Sequence, residues 1–151
     1  MLQILLGLAL MAVAVAIHLV GGLAAILHLR QRMSLPTGHP MLHALWILVE
    51  LFAALLLMHL MQVSLWALLY WWRIGWDFNT ALYFSAVTYA TIGYGDVVPP
   101  VPWRLVAVTE GLTGVLMLGW SSALVFAVVV RLLATAGAVL DDTPPRNGDR
   151  W

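Results

Sequence analysis

Apolar residues run along this chain in three long blocks, Leu2–Leu29, Leu42–Trp72 and Leu105–Leu133. A membrane crossing takes about 20 apolar residues, so each block predicts a transmembrane helix. The first block is apolar apart from Gln3, His18 and His28. No Lys or Arg precedes it, and it is longer than the apolar core of a secretory leader, so a retained helix is expected. Arg30-Gln31-Arg32-Met33-Ser34-Leu35-Pro36-Thr37-Gly38-His39-Pro40 follows. This polar stretch, punctuated by Pro and Gly, predicts a break between helices. The end of the chain, from Asp141 to Trp151, is polar and carries Pro144 and Pro145, which predicts a disordered tail.

The stretch Gly75–Val101 breaks the pattern. It is too short and too interrupted to cross a membrane and return. Asp77 or Asn79 can cap a short helix running through Ala90. Gly93 and Gly95 then end it, and Pro99, Pro100 and Pro102 exclude helix until Trp103. A short helix followed by extended, Gly-rich backbone reads as a re-entrant loop. Non-helical backbone at membrane depth survives only where protein buries it or where it lines a wet cavity. The pattern therefore predicts an ion- or water-filled axis beside this segment.

Composition supports lipid as the solvent. The chain of 151 residues is 63% hydrophobic and 9% charged, against about 25% charged residues in an ordinary soluble domain. Its mean hydropathy is +0.95. Seven basic and seven acidic residues balance, which removes an electrostatic case for nucleic acid as a partner. Cysteine is absent, so disulfides and thiolate metal sites are excluded. Arg30 and Arg32 predict a cytoplasmic connection between the first two helices, with the N-terminus outside and the C-terminus inside. Arg131, Arg146 and Arg150 agree, whereas Arg73 and Arg104 run against the rule. Trp46 near one end, and Trp66, Trp71, Trp72, Trp76 and Trp103 near the other, suit interfacial belts or core packing.

Thr91-Ile92-Gly93-Tyr94-Gly95-Asp96 resembles the selectivity filter of the potassium-channel pore-domain family. The resemblance extends over about residues 42–133. Ala81-Leu82-Tyr83-Phe84-Ser85-Ala86-Val87-Thr88 is similar to the pore helices of small bacterial channels. Glu110-Gly111-Leu112-Thr113-Gly114 and Gly119-Trp120-Ser121-Ser122-Ala123 are similar to parts of their inner helices. It implies an all-α membrane protein with three transmembrane helices, a re-entrant pore helix and a filter, assembled as a homotetrameric pore. It also implies passive, potassium-selective conduction in a bacterial plasma membrane, with no reaction catalysed. Potassium is then the permeant ion, and no cofactor is required. The expected division is residues 1–30 as an extra N-terminal helix, 31–40 as a cytoplasmic loop, 41–134 as the pore domain and 135–151 as a short tail. The extra helix is expected to pack peripherally against the second helix, away from the pore.

The filter chemistry can be checked residue by residue. A potassium ion exchanges its water for oxygens at near-equal cost when successive backbone carbonyls all face one axis. An ordinary strand alternates its carbonyls, so such a filter needs alternating backbone hands. Gly93 and Gly95 adopt positive φ at little cost. The carbonyls of Thr91, Ile92, Gly93 and Tyr94, with the Thr91 hydroxyl, form the implied potassium site. One filter per chain requires four chains to close the ring. Thr88, Tyr83, Phe84 and Glu110 are expected to support the filter. Family members often carry two tryptophans where Tyr83 and Phe84 stand. Phe84 cannot donate a hydrogen bond to Tyr94, but Tyr83 can. Asp96 is either an anionic ring at the outer mouth or a hydrogen-bonded structural acid.

Counting three and four residues along the third span from Gly114 groups Leu118, Ser122, Val125 or Phe126, and Val129 on one face. That face is expected to line a cavity in which Phe126 and Val129 form an apolar constriction. Gly114 or Gly119 then serves either as a hinge or as a site of close helix packing. Glu50 is expected to pair with Arg30, Arg32 or His43. His18 and His59 fall at similar depth and read as neutral groups hydrogen-bonded between helices. A pH switch is the alternative. The His39/His43 pair lacks the adjacent Glu of a metalloprotease and includes a proline, so zinc is not expected. A weakly selective cation pore, a non-conducting structural protein and an intramembrane enzyme using Glu50, His59 and Glu110 are the rival readings.

Overall fold

A computed structural model describes residues 2–33 and 39–141. Its elements in order are α1 (Leu2–Met33), α2 (Pro40–Ile74), α3 (Phe78–Tyr89), a 3-10 turn at Val101–Trp103, and α4 (Arg104–Asp141). Three helices are long and apolar enough to cross a membrane, and among the described residues no strand occurs. The chain is an all-α integral membrane protein.

Helix ends differ from expectation in three places. Gln31, Arg32 and Met33 continue α1, so almost the first turn of the expected loop is helical. Lys and Arg are good helix formers, and cations suit a helix C-terminus. Residues 34–38 of that loop lie outside the described residues. α4 runs on to Asp141, past the expected start of the tail, and residues 142–151 again lie outside. The three prolines after the filter do not keep the chain irregular until Trp103; Val101–Trp103 forms a 3-10 turn, with Trp103 N–H bonded to Pro100 O at 2.8 Å.

α2 opens with Pro40 in its first turn, where the missing N–H costs nothing. It ends at Gly75, whose φ of +80° is the left-handed cap that glycine supplies. The short α3 lies against both α2 and α4. Around it gathers a core of Trp66, Tyr70, Phe84, Tyr89, Val106 and Met117. A second core at the other end joins Leu29, Ile47, Leu51, Leu55, Met58 and Val128.

α1 does not pack on the second helix alone. It touches α4 as extensively as α2, so it lies in the groove between them. Its buried stripe is Gly7, Ala14, His18, Gly22 and Leu29, spaced by four and seven residues along one face. Small residues let the backbone approach closely. A Cβ on Gly7 would lie 2.5 Å from Thr109 Oγ1 of α4.

Candidate functional site

Asp77 starts α3 by accepting a hydrogen bond from Thr80 N–H at 3.1 Å. Bonding to Thr80 holds the Asp77 carboxyl below the usual range. Ala90 ends the helix, and the chain leaves it in a hook. The carbonyl of Thr88 accepts from Thr91 N–H at 3.0 Å, and that of Val87 accepts from Ile92 N–H at 2.9 Å and Gly93 N–H at 3.3 Å. These amides are turned back onto α3.

The loop that follows alternates in hand. Thr91 has φ +61°, Gly93 φ +61° and Gly95 φ +79°. Every second residue is therefore left-handed, with Ile92 and Tyr94 between. Thr91 is the one non-glycine residue of positive φ among those described, an uncommon state for a β-branched residue. The glycines signalled their own positions in the sequence. Thr91 carried no local signal, and only extending the two-residue alternation backwards would have found it. The negative end of the α3 dipole lies at the start of this loop, which favours a cation there.

Side chains brace the loop differently from expectation. Tyr83 donates to Asp96 Oδ2 at 2.8 Å rather than to Tyr94. Asp96 Oδ1 also accepts from Val97 N–H at 3.1 Å. The Phe84 ring packs edge-on against Tyr70 at 5.0 Å and Trp76 at 5.2 Å, which ties α3 to the end of α2. A cavity of about 320 Å³ separates the loop after α3 from α3 and α4. Tyr83, Thr88, Gly93, Asp96, Pro99 and Arg104 are among its lining residues. Arg104 Nε donates to Pro99 O across its rim at 3.4 Å. Ile92 and Tyr94 point away from the core, 53% and 70% exposed in the single chain.

Glu110 is fully buried behind α3. Its Oε2 accepts from the Tyr70 hydroxyl at 2.6 Å, and its Oε1 lies 2.5 Å from Ser85 Oγ. The acid thus joins α2, α3 and α4. It braces α3 and reaches the loop after it only through that helix. Ser85 Oγ also lies 2.8 Å from Val63 O.

On α4, Val106, Glu110, Thr113, Gly114, Met117, Ser121 and Val128 form the packed face. Gly114 belongs to it, because the backbone of Tyr89 fills the space where its Cβ would be. Leu118, Ser122 and Phe126 are exposed and Val129 half-buried, so these four stand away from Gly114. Gly119 is exposed with open space around it. Among the tryptophans, Trp66 and Trp103 are core residues, whereas Trp46, Trp71 and Trp72 are exposed. Glu50 pairs with Arg32 at 2.7 Å and His28 at 3.3 Å. His43 bonds instead to Arg32 O at 2.9 Å.

His18 and His59 meet, their ring centroids 4.9 Å apart. Sequence reasoning did not name the residues around them. Gln62, Tyr89 and Ser121 join them in hydrogen bonds, as Tyr70 and Ser85 join Glu110. The available signal was Gln62 one turn after His59 in a mostly apolar span, since a polar side chain there needs a partner.

A family model described as "Ion channel" matches residues 44–131. TWiK family of potassium channels protein 18 of Caenorhabditis elegans is 40% identical over 47 residues. Those residues are 31% of this chain and 10% of that protein, so the chain aligns with about a tenth of the relative's length. No solved structure matches significantly.

Proposed function

The chain belongs to the ion-channel family, and on that premise we propose that it is the pore-forming subunit of a potassium-selective homotetramer. The observation that carries this reading is the alternation of left-handed residues at Thr91, Gly93 and Gly95. Such alternation turns successive carbonyls to one side, and four copies around an axis then supply stacked rings of oxygen. Thr91, Ile92, Gly93 and Tyr94 hold the dehydrated ion, and Gly95 completes the turn to Asp96. Exposed Ile92 and Tyr94 are then covered by neighbouring chains.

In this reading Thr88 and Tyr83 hold the loop directly, while Phe84 and Glu110 hold the pore helix. Asp96 sits at the outer mouth with its charge fixed by Tyr83. Leu118, Ser122, Phe126 and Val129 face the cavity and the subunit interface, with Phe126 as the narrowing residue. Arg30 and Arg32 at the end of α1 favour a cytoplasmic α1–α2 connection; in this reading the membrane is a bacterial plasma membrane. The C. elegans relative is named a potassium channel, which agrees with the choice of ion.

Purified protein in planar bilayers with potassium on one side and sodium on the other tests the proposal. The reversal potential is expected to follow the potassium gradient. A reversal near zero makes it a weakly selective cation pore, and no current at all makes it a structural membrane protein.

A further inference from the structure

All four helices meet in one closed circle of side chains beside the end of α3. His18 comes from α1, His59 and Gln62 from α2, Tyr89 from α3 and Ser121 from α4. His18, Gln62, Tyr89 and Ser121 are buried and His59 is half-buried.

Donor chemistry fixes the direction of the circle. The Gln62 amide nitrogen faces His18 Nδ1. An amide nitrogen only donates, so Nδ1 is bare and the His18 proton sits on Nε2. That N–H donates to Ser121 Oγ at 3.1 Å. The Tyr89 hydroxyl spends its one proton on Gln62 Oε1 at 2.6 Å, so its oxygen accepts from His59 Nδ1–H at 3.0 Å. His59 Nε2 is then bare and accepts the Ser121 hydroxyl at 3.0 Å. Each member donates once and accepts once, every member is neutral, and the two imidazoles stand in opposite tautomers.

The groups that face the imidazoles are these partners. Glu110, three turns along α4 from Ser121, is engaged by Tyr70 and Ser85, and His28 on α1 is engaged by Glu50. An added proton therefore has no anion in the circle to meet. On His18 it would set Nδ1–H against the Gln62 N–H; on His59 it would turn the Ser121 hydroxyl away, so that Oγ accepts from both imidazoles and its own proton leaves the circle. Turning the Gln62 amide over only passes the clash to Tyr89.

We infer that this circle is a proton-sensitive clasp through which α1 holds the pore helix, closed while both histidines are neutral and opened when either takes up a proton. Its effect on conduction rests on the channel reading above, because Tyr89 stands two residues before Thr91. His18 is thus a positioning residue that acts through Gln62 and Tyr89.

Two measurements on the full chain in lipid test it. The first is nitrogen NMR of ¹⁵N-histidine-labelled protein. His18→Gln and His59→Gln assign the signals, and each amide keeps one donor and one acceptor in the circle. At about pH 8, His18 is expected as the Nε2–H tautomer and His59 as the Nδ1–H tautomer; near pH 4, charging of one is expected to abolish the tautomer signature of the other. A shared tautomer, or independent titration, overturns the circle. The second is potassium flux from liposomes. From about pH 8 to about pH 4 the wild type is expected to lose at least about threefold in flux, while the double variant His18→Gln/His59→Gln changes by less than about twofold. Equal pH dependence in both proteins, or a flat wild-type profile, overturns the clasp. No flux from any protein at any pH overturns the channel reading and the coupling with it, while the tautomers still decide the circle.

Discussion

Gly114 of α4 stands against the main chain of Tyr89: a Cβ at Gly114 would lie 2.9 Å from the Tyr89 carbonyl carbon and 3.1 Å from its Cα. The obstacle is backbone, so it cannot rotate aside. The glycine lets α4 touch the last turn of α3. This fits the packing alternative better than the hinge.

Gly114→Ala is accordingly expected to displace the end of α3, costing about 1–3 kcal/mol as overpacking does, and to reduce potassium conduction. Gly119→Ala meets open space and gains about 1 kcal/mol from helix propensity. Thermal unfolding in detergent, followed by flux in liposomes, checks both. A Gly114→Ala protein as stable and as conductive as wild type would contradict the close approach.

Gly93→Ala forces a side chain into a left-handed residue, at about 1–2 kcal/mol in each subunit. Gly93 has no neighbour within 4 Å for a Cβ to strike, so the cost is conformational rather than steric. The expected outcome is a folded tetramer that has lost its preference for potassium over sodium, read from reversal potentials. Unchanged selectivity would argue against carbonyl coordination.

Glu110→Gln is expected to be tolerated. The amide oxygen can accept from Tyr70, and the amide nitrogen can donate to Ser85 while Ser85 donates to Val63 O. Glu110→Leu leaves the Tyr70 hydroxyl buried without an acceptor, at a cost of about 1–3 kcal/mol. The two melting temperatures should separate clearly. Equal stability would mean that the acid contributes only volume.

The cap of α3 should respond to acid. Hydrogen bonding with Thr80 holds the Asp77 carboxyl below its ordinary value. A depressed acid stabilises in full above that ordinary value and loses the contribution as pH falls through the lowered one. Hydrogen exchange at the Thr80 amide should therefore gain protection from above about pH 4 and lose it below. Asp77→Asn should flatten the profile while keeping the cap.

Phe126→Ala tests the lower constriction. Phe126 is 71% exposed in the single chain, which suits a residue facing a cavity or a neighbouring subunit. Higher open probability in single-channel records is the expected result. Unaltered gating would move the gate to the filter.

Local signals made much of this legible. Apolar run length gave the three spans, and Asp77 with the two glycines marked the pore helix and the loop. What depended on distant partners stayed hidden. Tyr83 reaches Asp96 rather than Tyr94 because the loop hooks back on Val87 O, and no spacing along the chain reports that. α1 carries an even apolar surface, so only its small residues and His18 mark the packed side, and neither says which helix it meets. Thr91 adopts its positive φ because the hook imposes it, against its own preference.

The length of α2 links the molecule to its solvent. Its 35 residues span about 52 Å at about 1.5 Å each, whereas the hydrocarbon layer is about 30 Å thick. Even a lean of about 40° leaves a rise of about 40 Å. Part of α2 must stand among the lipid headgroups, where Trp71, Trp72 and Arg73 are suited to stay. Thickening the bilayer draws this helix upright, and thinning it lays the helix down. Because Tyr70 and Gln62 tie α2 to the braces of α3, lipid chain length becomes a mechanical input to the loop that follows α3.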